Sequence, residues 1–253
     1  MEDAFLKTMS GVTFSAPAQV FIGLFLSSPG ESGAAGTEIA YAGYQRMPIV
    51  FTPPTAEGQG MGIRNSSQIT FPQAPANSGT VRFIGIFDST TGGNMYLYGE
   101  LAEDLPVTAL DSPVFLLNDI VHFSTGDLSL AYKRRLYNVV RGTSLQGFTS
   151  HISLFNGDPE DGGAELAGSN YMRTPVSFSA PQKETSGLTV IRNIVRADFP
   201  RPLQNWGTWT HTAIFDSLTA GEPVWIQQRA AAKVINRGIM PFVEVNDLTF
   251  GIN

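Results

Sequence analysis

The chain contains no cysteine, which excludes disulfides, thiolate metal centres and a cysteine nucleophile together. Only three histidines are present, His122, His151 and His211, so there is little material for zinc or general-base chemistry. Charged residues make up 15% of the sequence, against about 25% in ordinary globular chains. A disordered chain would carry more charge and fewer than the 17 Phe, 7 Tyr and 3 Trp found here, so the sequence reads as folded. Long hydrophobic runs are missing as well. The longest covers residues 20–26, enough for one buried strand and far short of the ~18 apolar residues of a membrane span. Met1-Glu2-Asp3-Ala4 is acidic with no apolar stretch behind it, so no secretory leader and no membrane insertion are expected, and synthesis in a cytoplasm is.

What the chain does have is length, turns and a repeat. Its 253 residues suffice for two domains that each bury a core, and 26 Gly with 16 Pro suit many short strands joined by tight turns. The halves align on one another. At an offset of 130, Leu6 meets Leu136, Ile22 meets Ile152, Leu24-Phe25 meets Leu154-Phe155 and Pro29 meets Pro159. At 127, Tyr44-Gln45-Arg46-Met47-Pro48 meets Tyr171-Met172-Arg173-Thr174-Pro175. At 128, Ile63-Arg64-Asn65 meets Ile191-Arg192-Asn193, Phe71-Pro72 meets Phe199-Pro200, and Ile86-Phe87-Asp88-Ser89 meets Ile214-Phe215-Asp216-Ser217. Near the end, Asp127-Leu128-Ser129-Leu130 is set against Asp247-Leu248-Thr249-Phe250, which implies a shorter late loop in the second copy. The boundary is expected near residue 131, giving copies at 1–130 and 131–253.

Each copy reads as a short amphipathic helix followed by strands. Phe5, Leu6, Met9 and Val12 lead the first copy and Leu136, Val139 and Val140 the second at near-helical spacing; period-two patterns follow. Residues 80–87, a turn at 88–93 and residues 95–98 form an expected hairpin. The fold class is therefore mostly all-β, two tandem homologous β-sandwich or jelly-roll-like domains, each with a short N-terminal helix. The copies differ in charge. Residues 1–130 hold 4 Lys/Arg and 12 Asp/Glu, net −8, and residues 131–253 hold 12 and 10, net +2. Opposed fields of this kind favour head-to-tail association, though drift on solvated surfaces explains them equally well.

Catalytic candidates fail one after another. Asp88 and Asp216 open equivalent turns, where an Asp followed by Ser and Thr bonds its own turn backbone. Pro29 and Pro159 belong to such turns too. Arg46 and Arg173 suit a stacked or interface role, or a carboxylate ligand. The histidines occupy different alignment columns. Nucleophile elbow, phosphate loop and dinucleotide fingerprint are all absent. Residues 157–163 are acidic but lack calcium-loop spacing and read as an exposed turn, and Asn65-Ser66-Ser67 matches a glycosylation acceptor while reading as a plain loop. Lys133-Arg134-Arg135 with Arg141 is too small a basic cluster to argue for nucleic acid. Trp206, Trp209 and Trp225 all lie in the second copy, with Ser78, Val81 and Leu97 in their places in the first. Packing in a core or interface is the favoured reading, and sugar stacking the alternative. No catalytic residue, metal or cofactor is expected.

Each copy resembles the single-domain tail-fibre-like virion proteins of tailed bacteriophages and prophages. Gly23-Leu24-Phe25, Pro29 and Tyr44-Gln45-Arg46 carry the likeness in the first copy. In the second, Ser153-Leu154-Phe155, Asp158-Pro159, Tyr171-Met172-Arg173, Asn193, Phe199-Pro200, Trp206-Gly207-Thr208 and Ile214-Phe215-Asp216 carry it. The resemblance implies a non-enzymatic structural component of a phage virion: an adaptor, collar or fibre-attachment protein, tail- or neck-associated, made in the host cytoplasm and partnered by other virion proteins. The alternative it leaves is a receptor- or carbohydrate-binding module facing a host surface glycan. Two similar modules in one chain let three chains mimic six-fold symmetry, or six mimic twelve, so a homo-oligomer of three-, six- or twelve-fold symmetry is expected.

Overall fold

The computed structural model describes residues 8–252 apart from 10, 31, 59, 125–127 and 185–188. Among these the protein is mostly β and every strand pairing is antiparallel. The first copy supplies β1 (Val20–Phe25), β2 (Met47–Ile49), β3 (Thr55–Glu57), β4 (Gly60–Arg64), β5 (Ile69–Thr70), β6 (Gly79–Phe87), β7 (Met95–Val107), β8 (Val114–Phe115) and β9 (Val121–Ser124). After α1 (Leu130–Val139) come β10 (Ser150–Asn156), β11 (Ala164–Glu165), β12 (Thr174–Val176), β13 (Gln182–Lys183), β14 (Thr189–Arg192), β15 (Ala197–Asp198), β16 (Gly207–Phe215), β17 (Pro223–Ile235), β18 (Phe242–Val243) and β19 (Thr249–Ile252).

The sheets repeat. One set runs β2-β1-β6-β7, β3-β4-β9 and β5-β8; the other runs β11-β10-β16-β17 with β12 also on β10, β13-β14-β19 and β15-β18. The run at 20–26 becomes β1, buried on both faces except at Phe21, as its near-continuous apolar pattern requires. The expected hairpin is present as β6 and β7. Register interruptions recur at matching places, between Val81 and Phe83 in β6 and between Trp209 and His211 in β16. β-Bulges at the same position in both copies are built-in features of the fold.

Strand register corrects one sequence alignment. Ile63 pairs with His122 and Ile191 with Phe250, while Ile69 pairs with Phe115 and Ala197 with Val243. The offset of 128 therefore persists to the end. Asn118-Asp119-Ile120 corresponds to Asn246-Asp247-Leu248, and the late loop of the second copy is not shortened. Asn118 and Asn246 both adopt left-handed φ, 69° and 67°, a conformation that Asn tolerates.

The chain packs as two compact units whose composition does not follow a single cut. One comprises Ser15–Ser124 with Tyr137–Thr143; the other comprises Ser144–Asn253 with Thr125–Leu136 and the described residues of Glu2–Phe14. Within the latter, Phe14 and Leu145 exchange backbone hydrogen bonds of 2.8 and 2.9 Å, and the Ser150 hydroxyl donates to the Met9 carbonyl at 3.2 Å. The helix expected at the head of the first copy falls mostly outside the described residues; Met9 is buried and Val12 exposed.

Candidate functional site

The most elaborate polar arrangement occurs twice, once in each unit, and is built around the repeated Tyr-x-Arg. Arg46 is buried beneath the turn after β6. Its Nε and Nη2 donate to Glu38 Oε1 and Oε2 at 2.9 and 2.8 Å, and its Nη1 donates to the Ser89 and Gly92 carbonyls at 3.2 and 2.6 Å. The guanidinium lies 3.4 Å from the centroid of Phe87. Arg173 repeats this geometry: 3.0 and 2.9 Å to the two Glu165 oxygens, 3.0 Å to Ser217 O, 2.5 Å to Ala220 O and 3.5 Å over Phe215. A bidentate carboxylate, two turn carbonyls and an aromatic face engage the planar fork on both its edges and its face. Neither arginine presents that fork to solvent.

A tyrosine completes each cluster. The Tyr44 hydroxyl donates to Glu38 at 2.9 Å and accepts from Leu24 N at 2.9 Å. Tyr171 donates to Glu165 at 3.1 Å and accepts from Leu154 N at 3.0 Å. Burial raises both phenols well above their ordinary value. Burial would also raise the Glu165 carboxyl, but hydrogen bonds from Arg173 and Ser153 outweigh it and hold the group below its ordinary value. Chemically this is a clasp: it ties the strand entering the sheet to the turn that leaves it.

A second repeated device is a fully buried asparagine. Asn65 Nδ2 donates to the Ser67 and Leu116 carbonyls at 2.8 and 2.6 Å and its Oδ1 accepts from Ile120 N at 2.8 Å. Asn193 does the same with Val195, Glu244 and Leu248 at 3.1, 2.8 and 2.9 Å. With both amide hydrogens committed and no exposure, Asn65 is a staple for the loop ahead of β9, and the acceptor motif at 65–67 offers nothing to glycosylate.

Asp88 Oδ1 accepts from Asn94 N at 2.8 Å, and Asp216 Oδ1 from Glu222 N at 3.0 Å. The partner lies at the far end of the turn, six residues on, instead of at the adjacent Ser or Thr. Asp216 also takes Nη1 of Arg135 at 2.7 Å. Pro29 O accepts from Ala35 N at 3.0 Å. Pro159 opens a 3-10 turn at Pro159–Asp161 that the Asp158 side chain caps, and none of those three residues is buried.

Trp206, Trp209 and Trp225 are buried, at 4%, 2% and 6% exposure. Trp206 sets its edge against Tyr171, Trp225 against Phe250, and Trp209 carries the Arg229 guanidinium 3.7 Å above its ring. Sugar stacking needs solvent-facing rings, so these three provide no platform for a glycan. The histidines are dispersed. His122 meets the Tyr137 hydroxyl at 2.8 Å, His211 meets Thr210 at 3.0 Å, and His151 Nδ1 is buried with no hydrogen-bond partner among the described residues. Among the described residues no group of three His, Asp or Glu side chains is placed to hold a metal ion, and no helix is long and apolar enough to cross a membrane.

Three features of the clasp and staple escape a reading of single motifs. Glu38 and Glu165 partner the arginines across 8 residues of sequence, and they share the 127 offset that aligns the tyrosines, which is the signal that finds them. Asn118-Asp119 and Asn246-Asp247 are visible once the 128 offset is kept. The replacement of Tyr41 and Ser78 by Gly168 and Trp206 follows the offsets of 127 and 128, but that Tyr41 and Trp206 pack on the equivalent tyrosine is legible only in three dimensions.

A search of curated proteins finds no match to this chain. A family model described as "Podophage GP4 fiber I protein gp80" matches it twice, over residues 1–131 and again over 127–251. Two matches covering nearly the whole sequence coincide with the two sets of strands, clasps and staples described above. The chain belongs to the podophage fibre I protein family and carries that family's unit twice in tandem.

Proposed function

We propose that the protein is a structural component of a podophage virion, at the fibre or at the neck that carries it, acting as an adaptor, collar or fibre-attachment protein. It works through β surfaces, assembles as a homo-oligomer of three-, six- or twelve-fold symmetry and contacts other virion proteins. The observation that carries this reading is where the repeated polar residues spend their hydrogen bonds. In both copies Glu, Tyr, Arg and Asn are consumed inside the unit, locking turns and strand ends, as expected of a scaffold whose outer surface does the work.

Two measurements test it. Gold-labelled antibody against the chain should decorate particles of the encoding phage at one axial position, and light scattering of the purified protein should give three, six or twelve times 27.3 kDa. Particles that lack the chain would overturn the virion role. A single-chain mass at every concentration would overturn self-assembly alone.

A further inference from the structure

Each unit carries the same pair of loops, one ahead of its long hairpin and one after it. In the first unit Ala109 N donates to Asn77 Oδ1 at 3.1 Å, Leu110 N to Ala74 O at 2.7 Å and Gln73 Nε2 to Leu110 O at 2.9 Å. In the second, Arg237 N donates to Asn205 Oδ1 at 2.8 Å, Gly238 N to Pro202 O at 2.8 Å and Arg201 Nε to Gly238 O at 3.0 Å. The offset of 128 relates every one of these partners, so the backbone design is shared and the side chains differ.

One difference runs against local conformational preference. Gly238 has a φ of 86°, which glycine adopts freely. Leu110 has a φ of 71°, left-handed and unfavourable for a residue with a β-carbon, and its side chain is 72% exposed. The glycine loop closes with the same hydrogen bonds, so closure does not require the leucine. Strain of this kind is kept where the side chain itself has work to do.

The loop pair of the second unit offers matching chemistry. Leu203 and Ile239, each one residue beyond the hydrogen bond between Gly238 and Pro202, are 63% and 59% exposed, and Met240 is 41% exposed. Residues 201–205 and 236–240 hold Arg201 and Arg237 and no acid, whereas residues 73–77 and 108–112 hold Asp111 and no base. Neither arginine forms an ion pair among the described residues. One loop is therefore an apolar tip beside a carboxylate, and the other an apolar surface beside two guanidinium groups. Two loops of the first kind would set acid against acid and two of the second base against base, so the unlike pair is the matched one. Both are exposed within the folded chain, which leaves them open to another.

We propose that the Leu110 loop of one chain seats against the surface formed by Leu203, Ile239 and Met240 in a second copy of this chain, with Asp111 toward Arg201 and Arg237. The contact is heterologous: each chain presents both loops, and repetition closes a ring when the rotation allows. It rests on the self-assembly part of the proposed function and supplies the surfaces for it.

The strained leucine makes the test selective. Leu110→Gly copies the loop of the second unit, so the dilute, dissociated variant should melt at or above the temperature of the parent. The concentration at which its chains associate, read by light scattering over a dilution series, should rise by roughly tenfold or more. Unchanged association, or a lowered melting temperature that makes the leucine a packing residue, overturns the contact. Because native cysteine is absent, chains with Leu110→Cys and chains with Leu203→Cys can also be mixed and mildly oxidised. Disulfide-linked pairs should form in the mixture in excess over those from either variant alone, and equal yields from a single variant overturn the contact. If Leu110→Gly lowers incorporation into particles while self-association persists, the leucine meets another virion protein and the contact between copies fails. A chain that stays single at every concentration removes self-assembly as well, and particles that still contain the chain leave the virion role standing.

Discussion

The two units solve one packing problem with opposite choices of residue. In the first, Tyr41 sets its ring edge against Tyr44, with centroids 5.3 Å apart, and Ser78 is small. In the second, Trp206 sits at the position of Ser78 and sets its edge against Tyr171 at 5.1 Å, while Gly168 replaces Tyr41. A β-carbon at Gly168 would lie 2.3 Å from the Trp206 ring, so the glycine is what admits the tryptophan. The edge-type aromatic contact with the clasp tyrosine is retained although the segment that supplies it changes. What the fold needs is filled volume against that ring, and either side can provide it.

The clasp shows a second exchange. Gly23 faces Glu38 in the first unit, where an added β-carbon would stand 2.8 Å from Glu38 Oε1 and 3.2 Å from Arg46 Nε. Ser153 occupies that position in the second unit and donates to Glu165 at 2.5 Å. One glutamate is held by tyrosine and arginine, the other by tyrosine, arginine and serine. The second clasp therefore has a spare hydrogen bond that the first lacks.

These differences can be broken in order of expected effect. Trp206→Ser should cost about 3–5 kcal/mol through the cavity it leaves. Adding Gly168→Tyr should recover a good part of that loss, although Gly168→Tyr alone is destabilising. Urea unfolding followed by circular dichroism checks this, and a double variant no better than Trp206→Ser would sink the idea of exchanged volume. Arg46→Ala should cost about 2–3 kcal/mol by stranding a partly buried carboxylate and two turn carbonyls. Arg173→Ala should cost about 1 kcal/mol less, because Ser153 still serves Glu165. Tryptophan fluorescence assigns such losses, since all three tryptophans lie in the second unit. Equal costs for the two arginines would mean that the serine contributes nothing.

Grafting between the copies sharpens the same contrast. Gly23→Ser should destabilise by about 1–3 kcal/mol through overpacking, whereas Ser153→Gly should lose about 1 kcal/mol with its hydrogen bond, and thermal melts of the two variants measure the asymmetry. The smallest effect is on pH dependence. Glu165 is held below its ordinary value, so its stabilisation is full above about pH 4.3, the unfolded value. It fades as pH falls through the lower folded value, because the unfolded chain takes up the proton first. The fluorescence-detected transition should weaken over that window, and Glu165→Gln should remove the pH-dependent part.

Much of this was legible in the linear sequence. Apolar period two and turn residues mark the hairpin of β6 and β7, and the collinear matches at offsets of 127–130 mark the two copies of the family unit. Arg46 and Arg173 stand out because each sits two residues after a tyrosine in both copies. Their partners do not stand out alone, because an isolated glutamate at 38 or 165 has no local pattern and acquires its role only when β1 or β10 brings it beside the arginine. The alignment of Asp127 with Asp247 fails for a related reason: a four-residue match of Asp, Leu and hydroxyl or apolar residues is weak, whereas strand pairing fixes register along whole segments.

The sequence by itself determined the strand-rich class, the tandem duplication, the family, the acidic and neutral halves, and the lack of cysteine chemistry. These follow from composition, local periodicity, the collinear matches between the halves and the motifs they share, all of which the chain carries whether folded or not. Tertiary structure alone decided that the arginines are buried clasps, that the three tryptophans fill cores, that Asn65 is sealed, and that the leading segments are divided between the units as they are. Each of these depends on contacts between residues far apart in sequence, whose energies arise from burial and close packing that no local pattern encodes.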